Sequence, residues 1–144
     1  MSEKLLWNRL RDIVRKQDLP GRWERVENGV IDGMPDANFC VKGMEGWIEL
    51  KHGKVPAKKE TIVFKSQRGL TQEQVNWHFN QTKNGGKSWV LVQLDTRFFA
   101  IPGSLAGEIN QYSMVEMVNW EVELRAFMLS LCEGFEAVSY KSSI

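Results

Sequence analysis

A mixed α/β domain, one sheet with helices packed on it, is the fold class this sequence predicts, on three observations. Segments of helical period alternate with short apolar strands in the order α-β-β-β-α-β-β-α. Glycine, proline and asparagine punctuate the changes of period, as at Pro20-Gly21 and Asn84-Gly85-Gly86. The chain has 144 residues, 42% hydrophobic and 26% charged, which suits a single domain over 1–144 with a packed core.

The elements follow in order. Ser2 caps a helix from about Glu3 to Gln17, with Leu6, Leu10, Ile13 and Val14 on one side, and Pro20-Gly21 stops it. Trp23 to Asn28 reads as a short strand, followed by a turn through Gly29, Gly33 and Pro35. Ala37 to Lys42 and Gly46 to Lys51 form a hairpin joined across Gly43-Met44-Glu45. Val55 to Gly69 shows no period and is expected to be a long basic loop. Thr71 opens a helix to about Lys83, with Gln74 placed for a capping box, and Asn84-Gly85-Gly86 ends it. Ser88 to Leu94 and Arg97 to Ile101 are strands by composition. Beyond Pro102 the pattern turns helical, most clearly from Ser113 to Cys132 with Met114, Val118, Leu124 and Met128 as its apolar surface for core or dimer contact.

Charge and cysteine usage exclude several classes. Nineteen basic against eighteen acidic residues give a net charge of +1, which excludes a uniformly basic DNA-coating protein. The charge is unevenly spread: Lys51, Lys54, Lys58, Lys59, Lys65 and Arg68 face only Glu60 within their stretch, whereas the end of the chain is acidic. Cys40 and Cys132 are far apart, and with only His52 and His78 besides they make no zinc finger and no disulfide scaffold. Without an apolar leader or a membrane-length apolar run, a soluble cytoplasmic protein is expected, with no membrane partner.

The chemistry concentrates at Pro35-Asp36 and Glu49-Leu50-Lys51. Alternation along a strand sends Trp47, Glu49 and Lys51 to one face and Ile48 and Leu50 to the other. If Lys42 and Gly46 close the hairpin turn, Ala37 comes near Lys51 and Asp36 reaches the same open end as the Glu-x-Lys face. Two carboxylates meeting there suit a hard divalent cation such as Mg²⁺. The lysine would orient or help deprotonate a water, or neutralise phosphate. Each dipeptide alone is a common surface pattern, an ion pair or a turn. His78 shares a helix face with Gln74 but reads as a surface residue. His52 could touch phosphate, although an ordinary surface position is favoured. Trp7, Trp23, Trp77, Trp89 and Trp120 sit among apolar neighbours and read as core rather than base-stacking platforms.

Asp36 followed by Trp47-Ile48-Glu49-Leu50-Lys51 resembles the signature of the PD-(D/E)XK nuclease superfamily. Gly33-Met34-Pro35-Asp36 and Leu70-Thr71-Gln72-Glu73-Gln74 are similar to the patterns of the small phage and bacterial nucleases called VRR-NUC and of the related Holliday-junction resolvases. The resemblance runs from about Arg25 to Leu94 and implies a restriction-endonuclease-like α-β-β-β-α-β core with a C-terminal helical extension. It implies Asp36 and Glu49 as metal-binding carboxylates, the Leu50 carbonyl completing the site, Lys51 as the catalytic lysine and Gln74 as a helix glutamine turned toward it. Gln74 is equally read as a plain capping residue. Of two candidates for an additional acid, Glu27 on the strand is favoured over Glu3 on the first helix.

The function expected is a Mg²⁺-dependent DNA endonuclease, with Mn²⁺ able to substitute, hydrolysing phosphodiester bonds in branched DNA of the junction or flap type. Lys54, Lys58, Lys59, Lys65 and Arg68 would lie along the sugar–phosphate backbone. A branched substrate suggests a homodimer, and the compact single-domain form suits a phage nuclease. The alternative is a non-catalytic nucleic-acid-binding module on the same fold.

Overall fold

The computed structural model describes residues 2–26, 31–65 and 68–133. Glu27, the favoured additional acid, lies outside the described residues, as does the end of the strand expected to reach Asn28. Helix α1 (Glu3–Lys16) begins at Ser2, whose hydroxyl accepts the Leu5 amide at 3.3 Å. An acid in its first turn and Arg15 and Lys16 in its last complement the helix dipole. Leu6, Trp7 and Leu10 form its buried stripe.

Among the described residues six strands make one sheet in sequence order. They are β1 (Arg22–Arg25), β2 (Ala37–Val41), β3 (Met44–Gly53), β4 (Lys87–Leu94), β5 (Arg97–Pro102) and β6 (Glu121–Val122). Only the β3–β4 pair is parallel, and the crossover between them carries helix α2 (Gln72–Lys83). The α-β-β-β-α-β order is therefore present from α1 to β4, and β5 and β6 extend the sheet with antiparallel strands. Among the described residues no helix is long and apolar enough to cross a membrane.

The hairpin is tighter than the sequence suggested. Lys42 and Gly43, both at positive φ (52° and 82°), form a two-residue turn between Val41 and Met44, not a turn across Gly43-Met44-Glu45. Such turns match the right-handed twist of the strands, and glycine supplies one left-handed position while Lys42 tolerates the other. The register moves accordingly. Ala37 pairs with Ile48 and lies well short of Lys51, so the next residue back, Asp36, stands beside Glu49.

Two cores sandwich the sheet. Ile48, Leu50, Leu91, Phe39 and Trp89 meet α1 and α4 (Leu124–Glu133) on one side. Val90, Val92, Phe99 and Ile101 meet Leu70, Ile109 and Met117 on the other. The single helix expected over Ser113–Cys132 is instead broken into several pieces: α3 (Met114–Met117), a 3₁₀ turn at Val118–Trp120, β6 and then α4. A 3₁₀ stretch, Gly103–Gln111, precedes them. The breaks have local causes. Ser113 and Glu116 make a capping box for α3. Glu121 is drawn to the sheet by a two-pronged ion pair with Arg97 at 2.8 and 2.7 Å. Glu123 then accepts the amides of Arg125 and Ala126 at the start of α4. Val118 is consequently exposed, not part of an apolar helix face.

The basic segment forms no helix in its described part, as expected, but it is tied down. Val63 donates to the Tyr112 carbonyl at 2.9 Å and Met114 to the Lys59 carbonyl at 3.0 Å, and Phe64 is buried. Asn110 clamps the backbone of Leu70 through both its amide groups, at 2.8 and 2.7 Å. The C-terminal region thus braces the basic segment.

Gly33 fixes the approach to Asp36. Its φ is +83°, and a Cβ there would run into the Glu73 carbonyl of α2. Gly43 has a similar φ with open space around it. Gly33→Ala is therefore expected to cost about 3 kcal/mol in denaturant unfolding, strain and collision together. Gly43→Ala should cost about 1 kcal/mol, from strain alone. Equal losses would show that the 31–36 loop is not seated on α2.

Candidate active site

Asp36 enters β2 anchored on both its backbone and its side chain. Its carbonyl accepts the Val26 amide at 2.7 Å, and its carboxylate accepts the Leu50 amide at 2.8 Å. That second bond ties the Pro-Asp turn to the middle of β3 and leaves the other carboxylate oxygen for the site. Leu50 itself points into the opposite core and is fully buried; only its backbone belongs to the site.

Glu49 is carried to the site by strand alternation and is only 2% exposed. Gln74 donates to its Oε2 at 3.1 Å, whereas Oε1 is buried without a hydrogen-bond partner. Burial first, and the neighbouring Asp36 charge second, push the Glu49 carboxyl from its ordinary 4.5 up to about 9. Lys51, two residues along the same face, opposes the shift, and Glu3 of α1 adds to it.

Gln74 fills both roles that the sequence left open. Its Oε1 accepts the Thr71 amide at 2.9 Å and its own amide donates to the Thr71 hydroxyl at 3.1 Å, a complete capping box. The remaining NH₂ is thereby turned toward Glu49. The cap aims the amide.

One turn on, His78 departs from the surface position that its sequence suggests. It is fully buried rather than on the surface, with Nδ1 2.7 Å from the Ser88 hydroxyl, and burial lowers it to about 4. Its spacing from Gln74 puts it on the helix face that packs on the sheet. Trp77, half-buried, meets Trp47 edge to face at 5.5 Å, and Trp47 stands on the Glu49 face of β3, on the side away from Lys51. Of the other tryptophans, Trp7 and Trp89 are core, and Trp23 and Trp120 are half-buried against it.

Lys51 opens onto a cleft of about 920 Å³ that continues along the basic segment. Lys54, Lys58, Lys65 and Arg68 line it, and none of their side chains makes an ion pair or hydrogen bond with the described residues. Lys59 does not join them; it lines a separate apolar depression with Val115, Val118 and Arg97. Glu3 and His52 close the cleft from the α1 side, with His52 Nε2 2.8 Å from Glu3 Oε2. Sequence spacing of forty-nine residues gave no signal for that pair.

A buried carboxylate beside a second one, with an oxygen that no donor reaches, fits a hard divalent cation. Asp36 and Glu49 could hold it. Among the described residues, no third His, Cys, Asp or Glu side chain completes a ligand cluster with them.

The sequence matches no protein-family model and no curated protein. A solved structure to which the chain is similar is Hjc, a Holliday junction resolvase of the archaeal hyperthermophile Archaeoglobus fulgidus. The two share 20% identity over 66% of this chain and 74% of that one, with a TM-score of 0.42.

The Glu49 shift sets a pH dependence in cation-free protein. At acid pH both folded and unfolded states hold the proton, and Glu49 costs nothing. As pH rises from 4.5 toward about 9 the unfolded carboxyl ionises while the folded one keeps its proton, so stability falls. Glu49→Gln removes this dependence. In EDTA, the melting temperature of the variant relative to wild type should climb steadily across that range, and a gap that does not vary with pH would refute the shift.

Proposed function

We propose that this protein is a divalent-metal-dependent DNA endonuclease whose reacting centre is Asp36, Glu49 and Lys51. The observation that carries the reading is Glu49: a buried, partly unpartnered carboxylate against Asp36, two residues along β3 from Lys51, which opens onto a cleft lined by cations without partners among the described residues. An interior ion pair or a plain surface patch would have no use for that combination. Mg²⁺, or Mn²⁺ in its place, would be held by Asp36 and Glu49 with the Leu50 carbonyl. When bound, such an ion supplies charge to a scissile phosphate and acidifies water.

The protein's own residues do the rest. Gln74 fixes the Glu49 oxygen that it touches, so the carboxylate keeps one orientation. The Leu50 amide does the same for Asp36. Lys51 offers a compact ammonium to a phosphate oxygen at the cleft head, a role that the planar fork of arginine does not copy. Lys54, Lys58, Lys65 and Arg68 neutralise successive backbone phosphates. Contacts of that kind carry no base information, so DNA shape rather than sequence is the expected determinant, and branched DNA is the substrate class proposed.

The test is incubation with four-way, flap and linear DNA, in Mg²⁺ or in EDTA. Metal-dependent cutting, lost in Asp36→Asn with binding retained, is the result expected. Binding without cutting would select a non-catalytic nucleic-acid module, and neither would discard both. Lys51→Arg should fold and bind yet cut about a hundredfold more slowly, a loss of about 2.7 kcal/mol in transition-state stabilisation. Near-normal cutting would remove Lys51 from the mechanism and leave the metal site standing.

The cleft has its own measurement. Lys58→Ala should lower the slope of log affinity against log salt by about one, for all DNA shapes alike. Lys59→Ala should leave the slope unchanged. The reverse pattern would mean that the backbone runs over the other depression.

A further inference from the structure

We propose that Trp47 and Trp77 receive the base of an unpaired nucleotide next to the reacting centre, so that the strand to be cut is single-stranded on that side. The inference rests on the nuclease reading of the preceding subsection and narrows its substrate class to DNA with a flap or frayed strand at the cut. Two contacts between the same two elements carry it. Gln74 of α2 reaches Glu49 of β3 at 3.1 Å. Trp77, three residues along α2, meets Trp47, two residues back along β3, with ring centres 5.5 Å apart. Residues three apart share a helix face and residues two apart share a strand face, so the indole pair is the next rung of the ladder that holds Glu49.

The pair stands where the cover of the sheet ends. Among the described residues, the core on this side draws buried side chains from β4 and β5 but none from β1, β2 or β3. Where it stops, the sheet presents polar groups: Asn38 lies directly across β2–β3 from Trp47, and Arg22 of β1 donates to Asn38 at 2.9 Å. Both indoles are half-buried at this margin. Their planes are inclined at 66°, so the rings do not cover one another flat, and a ring face is left for a third planar group.

Charge decides which part of a nucleotide belongs there. Arg22 is paired with Glu24 at 3.1 Å, and Asn38 also reaches Glu45 at 3.4 Å, so two carboxylates accompany one guanidinium on this face. That excess repels a phosphate backbone, in contrast to the lysine-lined cleft on the Lys51 side of Glu49. Aromatic side chains take bases of any identity through their π faces. A base inside a duplex is stacked on both sides and must be extruded before an indole can reach it, whereas an unpaired base is free to turn. The backbone therefore follows the cleft, and the base beyond the reacting centre lies against the indoles.

The experiment measures binding of the full chain, in EDTA, to a blunt hairpin duplex and to the same duplex with a single-stranded tail of either polarity. The tail carries the fluorescent base 2-aminopurine at its first unpaired position. Wild type should bind one tailed form about tenfold more tightly than the blunt one and quench the probe. Trp77→Leu and Trp47→Leu, which keep an apolar side chain, should each lose the preference and the quenching, whereas Trp77→Phe should keep most of both. The slope of log affinity against log salt should be the same in all of them, since no phosphate contact is removed. Tail preference and quenching that persist in Trp77→Leu would overturn the proposal, and so would a lowered salt slope. Wild-type protein that binds blunt and tailed DNA equally overturns it without any variant. The two levels separate cleanly: if wild type binds neither DNA, the nuclease reading falls as well, whereas metal-dependent cutting with no tail preference sinks only the role of the indoles.

Discussion

Strand β3 cannot give Ile48 and Leu50 to one core without sending Glu49 toward the other, because a pleated strand alternates its faces and β3 is paired on both sides. Everything distinctive about the molecule follows from that constraint. The strand must stay straight and central to hold two cores together. The carboxylate must therefore sit at 2% exposure, where its charge is unfavourable, and the surroundings must be arranged to tolerate it. They do so only in part. Gln74 satisfies one oxygen, Lys51 supplies distant positive charge, and Asp36 makes matters worse. A protein seeking stability alone would place a valine there, as it does at Val90 directly across on β4.

The fold was legible in the sequence to the extent that its signals are local. The apolar runs, the Thr71–Gln74 cap and the glycines after α2 all correspond to elements where they were expected. The alternation of Trp47, Glu49 and Lys51 against Ile48 and Leu50 was correct, and with it the polar face of β3. What escaped was register and tertiary capping. Lys42 at positive φ is an uncommon opening for a two-residue hairpin, so the sequence points to a later turn, with Ala37 near Lys51 where the structure pairs it with Ile48. Helical period over 113–132 was real in composition, yet Arg97, far away in sequence, pulls Glu121 into the sheet and breaks the helix there.

The site shows the same division. The acids and the lysine could be named because an acid-x-lysine on an apolar strand is a pattern within one element. The Glu3–His52 contact joins residues whose meeting depends on how α1 lies across the sheet, and no spacing rule reports that. The burial of His78 is hidden from the sequence for a related reason. Its position relative to Gln74 was readable, but the inward direction of their shared face becomes evident only once Ser88 is seen beneath it. The bracing of the basic segment by Tyr112 and Met114 likewise gives the C-terminal region a purpose that its sequence does not suggest.

Gln74 spends its carbonyl on the helix cap and its amine on Glu49, so the two attachments are mechanically one. If the first turn of α2 unwinds, the glutamine swings away and the acid loses the one side-chain donor it has among the described residues. Conversely, any ligand that steadies Glu49 also steadies the turn. Protection of the backbone amides at the head of α2 against solvent exchange is then a gauge of what occupies the centre, readable at a helix end that no ligand needs to touch.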